Sequence, residues 1–100
     1  MTNLDVTVGT AAVVAYFGWE GPFVEAAAPG AERAIATLIV QTMDAHPSLS
    51  PKEQATVAAQ VMYNDAVARG YSAQVTQDEC TDCANGVVAA VTKSRSGAAE

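Results

Sequence analysis

Large side chains are scarce in this chain. Its 100 residues include two Phe, three Tyr and one Trp, although half of all residues are hydrophobic. Alanine and valine make up most of the apolar content, so the core must be built from small groups that let helices approach closely. Each such group contributes modestly, because burial is worth about 25 cal/mol per Å² of apolar surface. A partner or a second copy of the chain would be a natural way to complete such a core. Basic residues are scarce too. Five Lys and Arg stand against eleven Asp and Glu, giving a formal net charge of −6. A nucleic-acid backbone prefers a basic footprint, and an anionic membrane surface does likewise, so both are disfavoured as partners.

Long hydrophobic runs are missing as well. The longest uncharged stretch runs from Val6 to Trp19, short of the roughly 20 residues a bilayer span needs. It contains Gly9 and two threonines and lacks a basic flank, which is a poor match to a signal peptide. Two cysteines do not make a secreted disulfide scaffold. These absences predict a soluble, cytoplasmic protein. The chain is too apolar for disorder, and its length suits one domain covering residues 1–100. Heavy use of Ala, Val, Gly and Thr fits a high-GC genome, such as that of an actinobacterium or its phage.

Punctuation by glycine and proline cuts the chain into helix-sized pieces. Ser50-Pro51-Lys52-Glu53 is a capping box with proline at the first helical position, and Gly70 supplies a stop. Together they predict a helix from about Pro51 to Arg69, with Ala55, Ala58, Ala59, Met62 and Ala66 on its small-residue face and Val57 and Val61 widening it. Residues 31–45 carry Ile35, Leu38, Ile39 and Thr42 at helical spacing and should form the central element. Thr76-Gln77-Asp78-Glu79 is a second capping-box pattern. After it, Cys80, Cys83, Ala84, Val87, Val88 and Val91 trace an apolar helical stripe, with Gly86 off it. Residues 4–17 are ambiguous. Leu4, Val6 and Val8 alternate like a strand, whereas Leu4, Val8, Ala12, Ala15 and Trp19 fit a helix with Asn3 as cap. A lone strand would lack a pairing partner, which favours the helix. Phe23 to Ala28 reads as a further short turn, and residues 93–100 as a frayed tail. The expected fold class is all-α, a single-domain bundle of about four helices.

Cys80-Thr81-Asp82-Cys83 is the feature with most chemical content. A working redox pair needs a thiolate of low pKa, exposed near a helix N-terminus or beside a cation. Here the neighbours are Asp78, Glu79 and Asp82, which oppose a thiolate. A zinc site needs four ligands. Cys80, Cys83 and His46 make three at most, with Asp82 as a fourth or a symmetric dimer supplying four thiolates. The leading reading is therefore a pair of core cysteines, with a thiol-dependent redox or zinc-linked protein as the alternative. Ala66 and Gly70 are spaced as at the turn of a helix-turn-helix. The helix after them is acidic where base contacts require cations or amides. One histidine, no serine elbow, no phosphate loop and no Glu-x-x-His pair exclude the common catalytic sets.

Four of the six aromatic residues (Tyr16, Phe17, Trp19 and Phe23) fall within eight positions. Trp and Tyr are frequent interface anchors, though the same rings could plug one end of an alanine-rich core. The expected function is that of a non-enzymatic interaction or regulatory protein with no cofactor. It would bind a protein partner or a second copy of itself through this segment and through helix faces.

Overall fold

The computed structural model describes residues 3–17, 31–68, 70 and 76–98, apart from the side chains of residues 16–17, 31–32 and 98. Four helices make up this part of the chain: α1 (Asn3–Phe17), α2 (Ala31–Ala45), α3 (Pro51–Ala68) and α4 (Gln77–Ala98). No strand occurs among the described residues, so the fold is all-α and bundle-like. The expected turn at Phe23 to Ala28 lies outside the described residues.

Local signals set the helix ends. The backbone N–H of Glu53 donates to Ser50 Oγ (3.2 Å), and the N–H of Ser50 donates back to Glu53 Oε1 (3.3 Å). The same reciprocal pair opens α4. Glu79 N–H donates to Thr76 Oγ1 (3.1 Å), and Thr76 N–H and Oγ1 both donate to the Glu79 carboxylate. Each box satisfies backbone donors that the first helical turn leaves without partners. Beyond α3, Gly70 takes φ +85°, a left-handed conformation suited to glycine, and its N–H donates to Val67 O. The short link from α2 to α3 is held by Gln54, whose Nε2 donates to the carbonyls of Met43 (3.3 Å) and His46 (3.0 Å). This buried amide closes the C-terminus of α2, a job its sequence context does not announce.

Two sets of contacts give the topology. Gln54 near the start of α3 touches the end of α2. Arg95 near the end of α4 touches both Asp5 near the start of α1 and Asp44 at the end of α2. The helices therefore run alternately up and down. In cyclic order each packs on the next, α4 returns onto α1, and α2 and α4 meet across the short diagonal. The centre is thus shared by α2 and α4 rather than occupied by α2 alone.

The core is made of aliphatic and small side chains. From α2 come Ile35, Ala36, Ile39, Val40 and Met43; α3 gives its alanine face with Met62; α4 gives its whole predicted stripe. Two helix faces differ from expectation. On α3, Val57 is half-buried and Val61 is exposed, so the buried face is narrower and purely small-residue apart from Met62 and Gln54. On α1 the stripe is displaced. Leu4 is 55% exposed and Ala15 is also exposed, Val8 and Ala12 are half-buried, and the inward face is Asp5, Val6, Gly9 and Val13. Apolar residues surround α1 on all sides, so hydrophobicity cannot choose the face. Close approach chooses it: a Cβ on Gly9 would sit 3.2 Å from Ala36 Cβ and 3.3 Å from Val87 Cγ1. α4 continues to Ala98, and Arg95 ties its last turns to α1 and α2.

Candidate functional site

The thiols come first, because they are the chain's most distinctive chemistry. Cys80 and Cys83 are one helical turn apart on α4 and point the same way. Both are free, and each is 1% exposed. They share one cluster with Ala84, Val87, Val88 and Val91. Burial pushes the Cys80 thiol up to about 11, with the Glu79 charge adding to the effect. Burial pushes Cys83 up to about 12, with the neighbouring Cys80 contributing. A charged sulfur there would forfeit its hydration among valines without gaining a cation. The cap matters as well. Cys80 N–H already donates to Thr76 O (3.1 Å), so the free N–H groups of the helix start are not directed at either sulfur.

The remaining zinc candidate is elsewhere. His46 follows the end of α2, next to Asp44, and Asp44 touches Arg95. Cys80 lies fifteen positions before Arg95 along the same helix, or about 22 Å at 1.5 Å per residue. His46 and the thiols therefore occupy opposite ends of the bundle. Among the described residues, no group of three or more His, Cys, Asp or Glu is placed to hold a metal ion. Asp82 is exposed on the outer side of α4 while Cys83 faces inward.

The exposed side of α4 carries Asp78 and Asp82, and Glu79 is half-buried in its cap. An acidic helix in this position has the wrong sign for phosphate contacts. No helix among the described residues is long and apolar enough to cross a membrane.

Tyr16 and Phe17 close α1, but their side chains, together with Trp19 and Phe23, lie outside the described residues. The one aromatic ring placed with the described core is Tyr63, half-buried against it.

A polar cluster that the sequence did not signal stands at the end of the bundle opposite the thiols. Arg95 Nη2 donates to Asp5 Oδ2 (2.9 Å) and to Asp44 Oδ1 (2.8 Å). The side chain of Asp5 is 8% exposed, that of Asp44 34% and that of Arg95 38%. The hydrogen bond that Arg95 donates to Asp5 leads in holding the guanidinium above its ordinary value, against the pull of burial. For Asp44, burial opposes the charge, but hydrogen bonds and neighbouring positive charge, Arg95 among them, win and hold its carboxyl below the usual range. No side-chain nitrogen or oxygen buried among the described residues lacks a hydrogen-bond partner.

Neither a family model, nor a curated protein, nor a solved structure matches this chain.

Proposed function

We propose that this chain is a small, acidic, non-enzymatic interaction or regulatory protein of the cytoplasm. It binds a protein partner, or a second copy of itself, through the aromatic segment of Tyr16, Phe17, Trp19 and Phe23 and through helix faces. The observation that carries the reading is the clustering of four of the chain's six aromatic residues between Tyr16 and Phe23. Trp and Tyr carry a disproportionate share of binding energy where they meet a partner. A net charge of −6 favours a basic partner surface and fast encounter.

Burial of both sulfurs weighs against the competing thiol-dependent reading, redox or zinc-linked. A reactive thiol has to be reachable and ionised, whereas both sulfurs are buried and that burial pushes their pKa values up.

The test is affinity capture from a lysate of the source organism with wild type and Trp19→Ala, alongside light scattering over a range of concentrations. A partner retained by the wild type and weakened about 30-fold in the variant, the size of a loss of 2 kcal/mol at an interface hot spot, is the expected result. A wild type that stays monomeric and retains nothing overturns the proposal, as does a partner held equally well by both proteins.

A further inference from the structure

The last turns of α4 lack what usually holds a helix in place. Val91 is the final buried residue of α4 among those described. After it come Thr92 and Ser94, which are half-buried, and Lys93, Arg95, Ser96 and Gly97, which are exposed. A Cβ on Gly97 would meet nothing within 4 Å. Local propensity does not help. Thr and Ser are indifferent helix formers, and glycine is about 1 kcal/mol worse than alanine. A stretch of about two turns would not be helical alone. Yet it is helical to Ala98.

Arg95 supplies the side-chain hydrogen bonds of this stretch, and both go to other helices. We propose that Asp5, Arg95 and Asp44 form a charge latch, and that the end of α4 from Lys93 onward is a releasable strap which can open while the core stays closed. The latch is graded by its own geometry. Asp44 and the guanidinium are each about a third exposed, whereas Asp5 is nearly enclosed. Added ions screen exposed pairs much more than buried ones. The contact to Asp44 therefore yields first, and the contact to Asp5 is the inner catch. Release leaves the valine stripe untouched, since that stripe ends at Val91.

The experiment is amide hydrogen exchange on the full chain, comparing wild type, Arg95→Gln and Asp44→Asn in low salt and in about 1 M sodium chloride, where the Debye length is near 3 Å. In Arg95→Gln, protection of the amides from Lys93 to Gly97 should fall up to about fivefold, the size expected of a partly exposed charged pair. Amides from Cys83 to Val91 should keep theirs. Asp44→Asn should produce part of that loss. Salt should reproduce it in the wild type and add nothing in Arg95→Gln. Asp44→Asn retains the Arg95 charge at the helix C-terminus, so it separates the latch from a favourable contact with the helix dipole. Unchanged protection in Arg95→Gln overturns the proposal, as does equal loss along the whole of α4. An Asp44→Asn variant indistinguishable from wild type also overturns it.

Discussion

The two halves of α4 are held by different physics. From Cys80 to Val91 one face is fully enclosed, with Cys80, Cys83, Ala84, Val87, Val88 and Val91 all at or below 1% exposure. From Lys93 onward no described side chain is buried, and an ion cluster stands in for packing. Hydrophobic burial is non-directional and insensitive to modest salt. An exposed ion pair is weak, geometric and screened. One helix can therefore have a half that opens only with the whole protein and a half that opens by itself.

The strongest way to break this comparison is to place a charge in the enclosed half. Val87 is 0% exposed, and its Cγ1 fills the space opposite Gly9 on α1. Val87→Asp would bury a carboxylate among aliphatic groups with no cation in reach. The expected cost is more than about 4 kcal/mol, against a total stability of about 5–15 kcal/mol for a typical domain. Far-UV circular dichroism and urea titration should show loss of cooperative unfolding. A cooperative transition at an unchanged urea midpoint would mean that α4 is not packed as described.

Next in size is an alkaline effect of the same half. A thiol in an unfolded chain ionises near 8.5, whereas Cys80 and Cys83 are pushed up to about 11 and about 12. Between those values the unfolded chain has released protons that the folded chain keeps, so stability falls as pH rises. The contribution is intact below about pH 8.5 and lost progressively above it, by at most about 1.4 kcal/mol per pH unit for each thiol. Urea midpoints measured from pH 7 to 10.5 should decline less steeply in the Cys80→Ala/Cys83→Ala variant than in the wild type. Equal slopes would place the thiols in solvent. Thiol labelling at neutral pH should agree, being slow in the native state and fast in denaturant.

What the sequence made legible was local. The Ser50–Glu53 and Thr76–Glu79 boxes, the Gly70 stop and the Cys80–Val91 stripe are each decided within a few residues, and all form as expected. The face of α1 was not legible, because its apolar residues leave no polar side to point outward. Gly9 settles it through contacts with Ala36 and Val87, which belong to other helices. The latch was invisible for the same reason. Arg95 meets partners 90 and 51 positions away, and no spacing rule links an aspartate in the first turn of one helix to an arginine at the end of another. At the thiols, the acidic neighbours already argued against a reactive pair. The structure adds the larger cause, burial.

The smallest expected effect is the one that best separates the two halves. Arg95→Gln removes the charge that both carboxylates share and leaves every core contact in place. Because the guanidinium and Asp44 are both about a third exposed, solvent already screens much of the pair, and exposed ion pairs contribute about 0.2–1 kcal/mol. Global unfolding in urea should thus shift by less than about 1 kcal/mol, with the slope nearly unchanged because the same core is exposed. The contact to the nearly enclosed Asp5 sets the upper end of that range, because a buried pair is screened less than an exposed one. A loss of several kcal/mol would show that the inner contact to Asp5 belongs to the cooperative core, and that α4 opens as one unit along its whole length.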